Sequence, residues 1–96
     1  MLADFSRALR LVWIDHKANT PDGICRRDLL RTFGCSAAMA THDMRIYGAQ
    51  NQRQFRYNLS ARRYYAKAPI YTPEQHQTAI AAVELAHHVN RKDATK

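Results

Sequence analysis

Between residues 44 and 73 the chain has no aspartate and no glutamate. The same stretch holds Arg45, Arg53, Arg56, Arg62, Arg63 and Lys67, so almost all of the formal net charge of +7 falls there. A segment of one sign is not a self-neutralised surface, and its natural partner is a polyanion. Cysteine is scarce too. Cys25 and Cys35 are too few for a disulfide framework, and their spacing to His16 or His42 matches no zinc pattern. No metal, cofactor or small-molecule ligand is expected. No apolar run approaches the ~18 residues of a membrane helix. Asp4, Arg7 and Arg10 break the apolar N-terminus where a signal peptide would be unbroken. The expected location is cytoplasmic, on the nucleoid. The chain also lacks a Gly-rich phosphate loop, a His-Glu-x-x-His pair and a recognisable nucleophile setting, which argues against an enzyme.

What is present suffices for one modest core: 96 residues, 46% of them hydrophobic. Leu2, Phe5, Leu9, Val12, Trp13 and His16 recur at three- and four-residue steps and predict a helix over 2–18. His16 then stands at the edge of the core. Asn19-Thr20-Pro21-Asp22-Gly23 reads as a turn, and Ile24 as a short strand.

The centre of the chain is Gly34-Cys35-Ser36. Residues 26–33 before it predict a helix with Leu29, Leu30 and Phe33 on one side; residues 36–47 after it predict another. Glycine can take the left-handed conformation that ends the first, and serine can cap the second. Two helices joined by such a turn form a helix-turn-helix, whose second helix can enter the DNA major groove. In that helix Ala40, Met44 and Tyr47 should face the core. Ala37, Ala38, Thr41, His42 and Arg45 fall on the opposite side, with chemistry suited to thymine methyls, base edges and phosphates. Ser36 can bind a phosphate at the helix start. Arg26 and Arg27 begin the helix that would cross the DNA backbone. Asp43 is ill placed facing DNA and should hold a scaffold arginine, while Asp28 can pair with Arg31.

Phe55-Arg56-Tyr57-Asn58 and Arg62-Arg63-Tyr64-Tyr65-Ala66, separated by Leu59-Ser60-Ala61, predict a β-hairpin. Phe55, Tyr57 and Tyr64 or Tyr65 should cover the core edge, with Arg56, Arg62 and Arg63 projecting toward DNA. Interleaved arginine and tyrosine also suit RNA or single strands, but two strands offer little stacking platform. Thr72-Pro73-Glu74-Gln75 opens a last helix, to about residue 90. Its apolar arc is broad enough to pack on its own domain and on a second subunit, through Ile80, Val83, Ala86 and Val89. His87 and His88 read as surface residues.

Gly34-Cys35-Ser36-Ala37-Ala38-Met39-Ala40-Thr41-His42-Asp43-Met44 resembles the Gly-Val-Ser-x-x-x-Ala/Val-Ser-x-Asp-Leu pattern of bacterial DeoR-type regulators. With Arg27-Asp28-Leu29, Tyr47, Phe55-Arg56-Tyr57-Asn58 and Arg62-Arg63-Tyr64, the likeness narrows. It is to the N-terminal winged helix-turn-helix domain of WYL-domain regulators, including repressors associated with phage defence. The resemblance spans about residues 8–73 and has no counterpart of the WYL ligand-sensing domain, so effector sensing does not carry over. It implies a homodimeric bacterial or phage transcription factor, usually a repressor, on an inverted repeat of double-stranded DNA. The expected fold is mainly α with a small β-hairpin: a winged helix-turn-helix over 1–71 and a C-terminal, dimerising helix over 72–96. The competing reading is a winged-helix module that docks on an acidic protein.

Overall fold

Ser6 sets the start of the first helix. Its hydroxyl accepts the backbone N–H of Leu9 at 3.2 Å, and α1 runs Arg7–Ala18. That start lies later than apolar spacing predicts, because a serine oxygen satisfying a free N–H favours its own position as the cap. The structure, a computed structural model, describes residues 5–52 and 54–94, with side chains as far as His88. Leu2, expected in this helix, lies outside the described residues.

Helices α2 (Arg26–Phe33) and α3 (Ala37–Gln50) flank the predicted turn. Gly34 has φ 66°, and its N–H donates to Leu30 O at 2.9 Å, which closes α2 in the left-handed conformation. Ser36 Oγ accepts Met39 N–H at 3.1 Å and opens α3. The second helix outruns its expected end at Tyr47. Residues 48–50, beyond that expected end, are helical because Asn51 finishes the helix: its N–H reaches Tyr47 O at 3.0 Å and its Nδ2 reaches the Tyr47 hydroxyl at 3.1 Å.

Strands β1 (Phe55–Asn58) and β2 (Arg63–Ala66) pair antiparallel, Phe55 opposite Ala66 and Asn58 opposite Arg63. Ile24 adds the expected short third segment, exchanging bonds of 2.9 and 2.7 Å with Tyr64. Gly23 makes that approach possible. With φ 65°, any Cβ there would stand 2.6 Å from Tyr64 O. Helix α4 (Pro73–Ala94) begins with the reciprocal cap its motif predicts: Thr72 Oγ1 accepts Gln75 N–H at 3.1 Å and Gln75 Oε1 accepts Thr72 N–H at 2.8 Å. The described chain is thus mostly helical with one two-stranded hairpin.

Ile14, Ile24, Leu29, Ala40 and Tyr47 are fully buried at the centre, and Phe33 meets Phe5 and Trp13 edge-on at 5.0 and 5.2 Å. Helix α4 adds Ala79, Val83 and Ala86 to the buried residues. Val83 and Ala86 are therefore corrected as dimer contacts, since the middle of the apolar arc is consumed within the chain. Ile80 is half-buried, Leu85 remains 65% exposed, and Val89 lies outside the described side chains. His87 is also not a free surface residue: its Nε2–H donates at 2.9 Å to Thr32 O, a carbonyl left without a helical partner at the end of α2.

Two fully buried carboxylates hold α3 in place. Asp43 accepts Arg10 Nε at 2.5 Å and Arg7 Nε at 3.2 Å, the scaffold role expected of it. Asp15 had no such forecast. It accepts the Tyr47 hydroxyl of α3, the N–H groups of Ile70 and Tyr71 at 3.1 and 3.0 Å, and His76 Nε2 of α4 at 2.7 Å. A buried carboxylate is tolerated only when so satisfied. Asp15 thereby ties the connector between β2 and α4 (residues 67–72), and α4 itself, to the helix that carries the candidate interface.

Candidate nucleic-acid interface

With Ala40, Asp43 and Tyr47 turned inward, the other side of α3 faces solvent. Ala37, Ala38, His42 and Arg45 are exposed there. Thr41 is half-buried because its Oγ1 accepts Arg26 Nη1 at 3.1 Å. Arg26, at the start of α2, thus reaches across onto the middle of the outer face of α3. Ser36 is exposed; its oxygen serves as the helix cap, leaving the hydroxyl proton free to donate.

The hairpin stands beside this face. Strand alternation puts Phe55 and Tyr57 on one side of β1 and Arg56 on the other. Phe55 stacks on Tyr64 at 5.1 Å and meets Tyr47 edge-on at 4.8 Å, which anchors the hairpin to α3. Phe55 and Tyr64 cover the core edge as expected; Tyr57 does not, remaining 47% exposed. Arg26, Thr41, Met44 and Arg45 on the helices and Tyr57 and Arg62 on the hairpin border one open groove of about 630 Å³. Arg62 reaches it from the turn, where its backbone takes φ 59° and its N–H donates to Asn58 O at 2.7 Å.

The predicted cations separate into three groups. Arg26, Arg45 and Arg62 meet at the groove, and Arg27 is exposed at the start of α2. Arg56 is exposed on the opposite face of the hairpin, beside Tyr65 and Lys67. Arg63 is corrected outright. Its Nη2 pairs with the Asp28 carboxylate, its Nε donates to Asp22 O at 2.6 Å, and it pins the hairpin to the start of α2. The pleat turns position 63 away from the groove, and a carboxylate in the first turn of α2 waits there. The same contact replaces the expected Asp28–Arg31 pair. Among the described residues, Arg26, Arg27, Arg45, Arg56 and Arg62 have no carboxylate partner.

Both cysteines serve packing and capping. Cys25 caps α2, and burial pushes the Cys35 thiol up, away from thiolate chemistry. Among the described residues no three His, Cys, Asp or Glu side chains gather as a metal site, and no helix is long and apolar enough to cross a membrane. No protein-family model, no curated protein and no solved structure matches the chain. Sequence reasoning missed the Arg26–Thr41 bond and the groove itself, since both arise where separate elements meet.

Proposed function

We propose that the chain is a sequence-specific double-stranded DNA-binding regulator, acting in the cytoplasm as a dimeric repressor on an inverted repeat. Helix α3 enters the major groove, with Thr41 and His42 reading base edges and Ala37 and Ala38 allowing close approach. Arg26, Arg27, Arg45 and Arg62 meet phosphates, and the hairpin serves as the wing. One observation carries this reading: the smooth outer side of α3 is exposed and level with arginines from α2 and the hairpin turn, none of which is neutralised by a described carboxylate. The resemblance to WYL-regulator domains supports the same assignment. Docking on an acidic protein would call for an apolar patch at this face, and Ala37, Ala38 and Met39 offer little of one. A symmetric dimer would use Leu85 and the exposed part of Ile80, because Val83 and Ala86 are taken up internally.

The test is fluorescence anisotropy on duplexes from the upstream region of the chain's own gene, at physiological salt. A specific regulator prefers one segment over scrambled duplex by roughly 10³-fold or more, with half-sites about one helical turn apart or a multiple of it. Equal binding to every duplex would refute the assignment.

A further inference from the structure

We infer that the groove between α3 and the hairpin binds a free nucleotide, an aromatic base bearing a 5′-phosphate. The two walls of the groove differ in chemistry. Its floor is apolar and aromatic: Met44, Phe55 and Tyr57. Its rim is cationic: Arg26 from α2, Arg45 from α3 and Arg62 from the hairpin turn, with no aspartate or glutamate among the bordering residues. Duplex DNA accounts for the rim alone. Its phosphates can lie against the arginines, but its paired bases point to the helix axis and cannot reach the floor. An inorganic anion leaves the floor unused in the same way, and an apolar peptide leaves three guanidinium groups unmatched. A nucleotide uses both walls, its base on the aromatic floor and its phosphate in the arginine rim.

Size and rigidity agree with that occupant. About 630 Å³ falls within the ~300–1,000 Å³ typical of small-molecule sites. The floor is already assembled: Phe55 stacks on Tyr64, and Tyr57 meets Tyr64 edge-on at 4.8 Å. Thr41 holds Arg26 in place. Little freedom of Phe55, Tyr57 and Arg26 is lost on binding as a result. The nucleotide shares Arg26, Arg45 and Arg62 with the proposed duplex contacts, so it competes with duplex. That competition rests on the DNA-binding reading, whereas occupancy of the groove does not.

The experiment titrates the full chain, labelled with ¹³C at methionine methyls, with 5′-AMP, adenosine, inorganic phosphate and single-stranded oligo(dA). Met44→Leu assigns the Met44 methyl signal, and each compound is also added to a complex with fluorescent duplex. Expected is a shift of the Met44 methyl by 5′-AMP, with affinity about tenfold or more above adenosine or phosphate, because base and phosphate bind together. Tyr57→Leu should weaken 5′-AMP about fivefold or more, the loss of one stacked base, and change duplex affinity less than about twofold. Phosphate matching 5′-AMP, an unmoved Met44 methyl, or oligo(dA) binding far more tightly than 5′-AMP would each overturn the assignment. If 5′-AMP shifts Met44 while no duplex binds, the groove assignment stands and the regulator reading falls. If duplex binds and 5′-AMP does not, the reverse holds.

Discussion

The two sides of α3 meet opposite kinds of arginine. On its inner side, Arg10 is buried against Asp43, and Arg7 joins the same carboxylate from the surface. On its outer side, Arg26, Arg45 and Arg62 are exposed around a groove that no acid borders. The residue type is the same in both places. The difference lies in whether the fold has buried a carboxylate opposite it, and net charge alone does not report that. Arg63 makes the point within one hairpin, where it is tied to Asp28 while its neighbour Arg62 is free of any described carboxylate.

The sharpest way to break the comparison is to remove the inner carboxylates. Asp43→Ala leaves the buried Arg10 without a counter-charge, only the Phe5 carbonyl still accepting from its Nη1, and should cost about 3–5 kcal/mol in denaturant unfolding. Asp15→Ala strands four donors from three segments and should cost about as much. A loss below about 1 kcal/mol in both would show that these contacts do not hold the helix.

Arg63 and Arg62 form the next pair. Arg63→Ala should lower stability by about 1.5–3 kcal/mol, the range for a hydrogen bond to a charged group. Arg62→Ala should change stability by no more than about 0.5 kcal/mol. It should weaken binding to all duplexes and reduce the salt slope by about 1. If the two variants behave alike in unfolding, the distinction between structural and available arginine fails here.

Smaller still is the expected effect on sequence preference. Thr41→Ala or His42→Ala should relax discrimination at one or two base positions by about 1–3 kcal/mol, read from competition among single-base variants of the preferred duplex.

The smallest effect is on pH dependence, from the inner side. Burial lowers the His16 pKa from 6.5, helped by His76, whose ring lies 5.7 Å away, and by Lys17, with Asp15 opposing. The folded chain therefore holds His16 neutral where the unfolded chain would protonate it. Its contribution is complete above pH 6.5 and is lost as pH falls below that value. His16→Asn should flatten the melting temperature between pH 7 and about 5 relative to the parent. Tyr47 acts in the opposite direction. Burial, with the bond to Asp15, raises its pKa above 10, so its contribution is present at neutral pH and lost in strong base.

Much of this was legible in the residues. Gly34, Ser36, Thr72 and Gln75 marked helix boundaries because caps are local chemistry, decided within three or four residues. Ala40 and Tyr47 followed from helical period, and the hairpin from alternation. Asp15 was not legible: a carboxylate in an apolar helix looks like a solvent-facing interruption until the connector N–H groups and His76 arrive from more than fifty residues away. Val83 and Ala86 were misjudged because a wide apolar arc states how much surface is buried, but not against what. Tyr57 was assigned to the core by residue type, although its strand position places it on the groove wall.

By itself the sequence determined the four helices, the hairpin, the turn at Gly34 and the acid-free stretch, since each depends on neighbours along the chain. Only the tertiary structure decided which arginines are spent and which are available, where Asp15 and His76 meet, and that α3 and the hairpin enclose a groove. Those outcomes depend on pairings across long stretches of chain, where burial strengthens charge interactions and the hairpin sends Arg62 of the turn and Arg63 of the strand to different partners.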